Sequence, residues 1–189
     1  MGLIKLRTKD IALARSTTHR DAVLDRPWAP RGLLTRWRVE ARGMGVRVVP
    51  KTSIFGSRLS KMSTTYYSEI RLGTDYPRLS QAWQAVVMGH EMLHARQWRA
   101  YGRNRFRTRY LFRTRWRWAV EVQAYAESLR IMVALGFSSE AIESYISTRG
   151  DVLWENYALR SLRKDHVLRY TAQILDDARA DAERRHSGR

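Results

Sequence analysis

The most informative segment of this chain is Val86-Val87-Met88-Gly89-His90-Glu91-Met92-Leu93-His94. Around it, hydrophobic and aromatic residues recur at spacings of three and four from Trp83 to Tyr101, which predicts one long helix ending at Gly102. Histidines at positions i and i+4 lie one turn apart on the same face of a helix, where two neutral imidazoles can bind one zinc ion. The sequence therefore predicts a metal-binding helix.

Glu91 directly follows the first of these histidines. From this position a carboxylate can reach a metal-bound water without binding the metal, and zinc lowers the pKa of such a water to about 7. We therefore expect Glu91 to act as a general base. The alternative is a buried helix with two hydrogen-bonded core histidines, but unpaired imidazoles are costly on the apolar face that holds His90 and His94.

A catalytic zinc normally has a third protein ligand. Because the chain has no cysteine, this ligand must be His, Glu or Asp. We select Glu121, which lies on the next predicted helix, at about 115–135, and which a helical hairpin would return towards the histidines. Glu127 and His166 are the rival ligands. Glu127 points about 240° away from Glu121 around the helix, so only one of the two can face the metal.

The segment from Thr64 to Glu127, about a third of the chain, resembles the small gluzincins of bacteria and their phages. These zinc metallopeptidases carry His-Glu-x-x-His on one helix and a ligand Glu on the next. They often carry a Gln-aromatic pair soon after the second histidine, as in Gln97-Trp98. They also share a segment matched here by Glu121-Val122-Gln123-Ala124-Tyr125.

This resemblance implies that zinc binds to His90, His94 and Glu121, with Glu91 as the general base. It also implies that residues 66–72 form an edge strand that pairs with an extended peptide substrate. Tyr125 stands where large gluzincins carry an Asp that bonds the first histidine, so that histidine's partner is unassigned. The residue that stabilises the oxyanion is also unassigned, with His166 and Tyr170 as candidates.

The composition narrows the class of protein. Of the 189 residues, 44% are hydrophobic and 11% aromatic, which is enough for a core and excludes a disordered chain. The absence of cysteine excludes a disulfide scaffold and a cysteine nucleophile. We find no apolar run long enough for a signal peptide or a membrane span. These features predict a cytoplasmic or virion-associated protein.

The net charge of +17 is unusual, and it has two candidate causes: a GC-rich genome, which favours arginine codons, or a polyanionic partner. Nine arginines and no acidic residue lie at 96–117. Interleaved basic and aromatic residues suit contact with nucleic acid. Docking on an acidic protein, as in a virion assembly, and a solvated helix connection are the alternatives. The candidate contact residues are Arg103, Arg105, Arg107, Arg109, Arg113, Arg115 and Arg117.

The overall pattern predicts an α+β fold that is mostly helical. We expect a basic and irregular N-terminal extension at 1–45, a minimal zincin-like metallopeptidase domain at 46–175 and a charged tail at 176–189. A small β-sheet, from strands at 46–49 and 64–72, should pack beside the metal-binding helix. Ser138 should cap a short helix that ends at Thr148, before a longer one begins at Gly150.

The function that these observations predict is that of a zinc-dependent metallopeptidase acting on a peptide or protein substrate. The alternative is a basic structural protein of a phage virion or nucleoid, which binds protein or nucleic acid and whose zincin site is secondary or idle. An intact Glu91 favours the enzyme, because a purely structural metal would not need that carboxylate.

Overall fold

A computed structural model describes residues 3–16, 24, 28–51 and 61–187. In chain order its helices are α1 (Thr8–Arg15), α2 (Pro30–Gly43), α3 (Gln81–Tyr101), α4 (Arg103–Phe112), α5 (Thr114–Ala134), α6 (Ser139–Asn156) and α7 (Lys164–Ser187), with a 3₁₀ turn at Tyr76–Arg78. Its strands are β1 (Arg47–Pro50), β2 (Thr64–Tyr66) and β3 (Glu69–Leu72). The expected fold class, α+β and mostly helical with a small sheet, is confirmed for the described residues.

The sheet has the strand order β1-β3-β2. Strand β1 runs parallel to β3, with Val48 opposite the fully buried Ile70, and β2 runs antiparallel to β3, with Thr65 opposite the same residue. The single strand predicted over 64–72 is wrong, because Tyr67 takes a left-handed conformation (φ 49°) and reverses the chain into a hairpin. The edge strand beside α3 is therefore β2.

The core is centred on α3 and α5. Helix α3 also packs against α2, and α5 against α7. A side chain at Gly89 would clash with Ile131 of α5 and Trp37 of α2, so this glycine lets the three helices approach closely next to His90. Helix α5 is buried on most of its surface. An all-round buried helix of this kind can place polar side chains deep in the core.

The irregular structure expected at 1–45 is wrong for residues 30–43, which form α2. Pro30 occupies the first turn, where its missing N–H costs nothing, and Leu33, Trp37 and Ala41 recur every four residues on the buried face. The arginines interspersed among them obscured this spacing. The boundaries at 45 and 175 stay predictions, and parts of 1–45 and 176–189 lie outside the described residues.

The C-terminal helices also differ from the prediction in one respect. Ser138 caps α6 as expected, with its hydroxyl accepting a hydrogen bond from the Ala141 N–H at 3.3 Å. Helix α6 does not restart at Gly150, which instead lies where a side chain would clash with Leu168 of α7. Close packing, and not a helix break, explains this glycine. No helix within the described ranges combines the length and apolar character needed to cross a membrane.

Candidate metal centre

Three predicted ligands lie together in the core. The Nε2 atoms of His90 and His94, on successive turns of α3, are 3.7 and 3.4 Å from Oε2 of Glu121 on α5. One ligand atom from each side chain lies within 4.8 Å of the other two, and all three side chains are buried. The chain returns through α4, which brings Glu121 of α5 back to the histidines, and the three residues could hold a metal ion.

The two rival ligands lie elsewhere. Glu127 pairs with Arg130 (Oε2 to Nη1, 3.1 Å) and with Arg96 (Oε1 to Nη1, 3.6 Å), which makes it part of a buried ion-pair network. His166 of α7 packs edge-on against Tyr170, with ring centroids 5.6 Å apart. The sequence could place only one of Glu121 and Glu127 at the metal, and the rotation of α5 selects Glu121.

Hydrogen bonds at the far side of each imidazole orient the Nε2 atoms towards Glu121. His94 donates from Nδ1 to Oε1 of Gln97 at 2.9 Å. His90 donates from Nδ1 to Oγ of Ser128 at 3.4 Å, and that hydroxyl itself donates to the Ala124 carbonyl. Such outer partners fix the tautomer and direction of ligand histidines. Ser128 is thus the partner of the first histidine that the sequence left unassigned.

Glu121 provides the clearest test of whether this site fits a cation. Its Oε1 atom accepts a hydrogen bond from the Tyr110 hydroxyl at 2.5 Å, whereas its buried Oε2 atom faces the two imidazoles, at 3.4 and 3.7 Å, without forming a hydrogen bond of good geometry to either. Leaving a buried carboxylate oxygen unpaired is expensive. A metal ion held between this oxygen and the two imidazoles would satisfy it. Two histidines and one carboxylate are a donor set found in catalytic zinc sites.

The protonation states of His94 and Glu121 depend on each other. Burial lowers the pKa of His94, but the charge and close approach of the Glu121 carboxylate, together with the hydrogen bond to Gln97, outweigh this effect and raise it to about 9. Burial raises the pKa of Glu121, yet the charge on His94 and the close approach of both imidazoles hold it well below its usual range. Protons and a metal ion therefore compete for this site.

Glu91 is not one of the three candidate ligands, although it borders the same cleft. The residue is 5% exposed, and its carboxylate accepts a hydrogen bond from the Thr65 hydroxyl, with 2.7 Å between Oγ1 and Oε2. Thr65 belongs to the edge strand β2, so the strand that borders the cleft also orients this carboxylate. Sequence reasoning missed Thr65, since nothing in a threonine 26 residues away marks it as a partner.

An open cleft passes along the candidate site. One part, of about 390 Å³, extends towards the C-terminal end of α3 and has apolar walls from Met62, Trp98, Phe106 and Leu111. The other, of about 280 Å³, extends towards the N-terminal end of α3, with walls from Trp83, Tyr125, Tyr145 and Tyr157. Both parts include His90 and Glu91, so an extended ligand could continue on either side of the site.

Neither predicted oxyanion candidate borders the cleft, whereas other tyrosines do. His166 and Tyr170 do not border either part of the cleft, whereas Tyr110 borders the first part and Tyr157 borders both. Burial raises the pKa of Tyr110 and of Tyr157 well above the usual value, and the charge of Glu121 adds to this effect. Both hydroxyls therefore keep their protons at neutral pH.

The arginine segment at 96–117 spans the end of α3, all of α4 and the first turn of α5. Arg103, Arg105 and Arg107 are exposed, and Arg103 stacks over the ring of Tyr67 at 4.9 Å. Two other members of the predicted set make polar contacts inside the chain. Arg115 pairs with Asp10 at 3.7 Å, and Arg117 donates to the carbonyls of residues 110 and 158. Arg113 is exposed and Arg109 is half-buried.

Comparison of the chain with protein-family models, with curated proteins and with solved structures gives no match. The chemistry of the site is therefore judged from its own residues.

Proposed function

We propose that this chain is a zinc-dependent metallopeptidase with a minimal zincin-like domain. The observation that carries the proposal is the position of Glu91, whose carboxylate lies in the cleft beside the His90, His94 and Glu121 group without belonging to it. A structural metal site needs no such carboxylate. The buried Oε2 of Glu121, which faces both imidazoles without a hydrogen bond, supports the metal, and the donor set favours zinc.

The residues of the chain have separate parts in this reaction. Zinc would supply a Lewis acid that polarises the scissile carbonyl and acidifies the attacking water. Glu91 accepts the proton of that water and passes it to the leaving amine. The edge strand β2 offers its free main-chain groups to an extended peptide. The hydroxyl of Tyr157, which lies 3.2 Å from that of Tyr125, would donate to the carbonyl oxygen as it gains negative charge.

Replacing Glu91 tests the proposal. Glu91→Gln keeps the shape of the side chain but cannot accept a proton, so we expect zinc content and thermal stability to change little. Hydrolysis of an unstructured, casein-like protein should fall by ~10²–10⁴-fold. Equal cleavage by the parent and by a zinc-loaded Glu91→Gln variant would contradict the mechanism.

A second candidate function is that of a basic structural protein of a phage virion or nucleoid. The observation that favours it is the surface of α4. There the exposed Arg103, Arg105 and Arg107 lie on the same helix as Leu111 and Phe112, whose exposed fractions are 54% and 79%. Exposed basic and aromatic residues on one helix suit binding to nucleic acid or to an acidic protein.

A further inference from the structure

The cleft contains an arginine that the proposed mechanism does not use. Arg149 of α6 lines the part of the cleft that extends towards the N-terminal end of α3. Its guanidinium carbon lies 4.4 Å from the ring centroid of Tyr145 and 5.6 Å from that of Tyr125. Tyr125 in turn packs against His90, with 4.8 Å between ring centroids. A single aromatic ring therefore separates Arg149 from a candidate metal ligand.

The other charged side chains on the described wall of this part have partners. Asp75 lies 4.0 Å from Lys61, and Glu91 accepts the hydrogen bond from Thr65. Arg149 donates from Nη2 to the hydroxyl of the adjacent Thr148 at 3.0 Å. Its Nε atom is buried without an acceptor, and none of the described carboxylates forms an ion pair with it.

Stacking against aromatic rings restricts the orientation of the Arg149 guanidinium without occupying its N–H groups. Arginine presents five donors in a planar fork, and that fork matches the two oxygens of a carboxylate. A guanidinium held in this way, with donors unused inside a cleft, is poised to bind an anion of that shape. The proposed reaction brings such anions into the cleft, because peptides carry carboxylates on Asp, on Glu and at the C-terminus.

We infer that Arg149 determines specificity by binding a carboxylate of the substrate close to the scissile bond. The preferred substrate is then a polypeptide with an acidic residue, or with its own C-terminal carboxylate, on the Arg149 side of that bond. This inference rests on the proposed peptidase function, and it adds the class of substrate.

Binding can be measured apart from catalysis in the zinc-loaded Glu91→Gln variant. The probes are three fluorescent peptides of one neutral sequence: amide-capped, amide-capped with a single Glu, and ending in a free carboxylate. The second and third peptides separate a side-chain carboxylate from a terminal one. We expect at least one of them to bind about tenfold more tightly than the first, as a charge-assisted hydrogen bond implies.

Three further substitutions in this background identify the residue responsible. Arg149→Gln should abolish the preference, and Arg149→Lys, which keeps the charge and loses the fork, should retain only part of it. Arg160→Gln is the matched control, because it removes the same charge from an exposed position that does not border the cleft. It should leave the preference intact. Circular dichroism shows whether each variant folds. If Arg149→Gln does not fold, the peptide preference measured for Arg149→Lys tests the inference instead.

The outcomes separate this inference from the proposed function. The inference is overturned if the preference persists when Arg149→Gln is folded. It is also overturned if the Glu91→Gln protein with Arg149 intact binds the three peptides equally. Either result leaves the peptidase proposal standing. The opposite result is a preference that depends on Arg149 while the protein with Glu91 intact cleaves neither these peptides nor casein. That result supports the carboxylate site and overturns the peptidase proposal.

Discussion

Two buried glutamates on α5 should separate metal binding from stability. Glu121 and Glu127 are 2% and 1% exposed, yet the first faces the two histidines and the second faces two arginines. Changing each to Gln removes one charge and keeps the size of the side chain. We expect Glu121→Gln to lose zinc and Glu127→Gln to lose stability, so that each variant is the control for the other.

The loss of stability expected for Glu127→Gln follows from the ion pairs that Glu127 makes. Arg96 also pairs with Glu40 at 2.8 Å, so it keeps one carboxylate when Glu127 is neutralised. Arg130, whose side chain is 10% exposed, forms its ion pair with Glu127. Breaking a buried ion pair from one side costs about 3–5 kcal/mol. Because Gln still offers an acceptor, we expect about 3 kcal/mol, or roughly 6–12 °C in Tm.

The effect expected for Glu121→Gln is a loss of affinity for zinc. Removing a residue that only supports a metal ligand costs about 10–100-fold in affinity, so removing a ligand should cost more than that. At a zinc concentration about 100 times its Kd, the parent gains about 2.7 kcal/mol of stability. We expect Glu121→Gln to gain almost none and Glu127→Gln to gain as much as the parent.

The assay is thermal unfolding of the parent and both variants, with and without zinc, together with metal analysis of the purified proteins. The reasoning is refuted if Glu127→Gln loses the zinc-dependent rise in Tm while Glu121→Gln keeps it. It is also refuted if Glu127→Gln unfolds at the parent's temperature.

Two other predictions concern protons and salt. Because the pKa of His94 is raised to about 9, the metal-free protein should release about one proton per chain on taking up zinc near pH 7, and less above pH 9. Calorimetry in buffers of different ionisation enthalpy measures this, and a heat independent of the buffer would contradict it. The protonation of His94 stabilises the metal-free fold fully below about pH 6.5, and this contribution is lost as the pH rises through about 9. If α4 binds DNA, changing Arg103, Arg105 and Arg107 to Ser should flatten the logarithmic salt dependence of binding by about 0.9 per lost phosphate contact, with Arg160→Ser as the control. Equal slopes would exclude phosphate contacts by these three arginines.

The sequence predicted those parts of the site that depend on the period of one helix. His90, Glu91 and His94 are neighbours on α3 because residues one turn apart share a face, and Ser138 caps α6 because its hydroxyl reaches an N–H three residues away. Helix α2 was missed although it follows the same rule, since its arginines obscured the apolar spacing. Residues 64–72 were predicted as one strand because the turn at Tyr67 has no glycine to mark it.

Local periodicity determined which residues share a face of α3, and the sequence alone was sufficient for that. It could not determine which face of α5 meets α3, because a helix can rotate about its axis at no local cost until it is packed. Tertiary packing through Gly89, Ile131 and Trp37 sets that rotation, and with it the choice of Glu121 over Glu127. The contacts of Thr65 with Glu91, of Ser128 with His90 and of Arg149 with Tyr125 depend on the same step, since each joins residues 24 to 38 positions apart whose types alone do not mark them as partners.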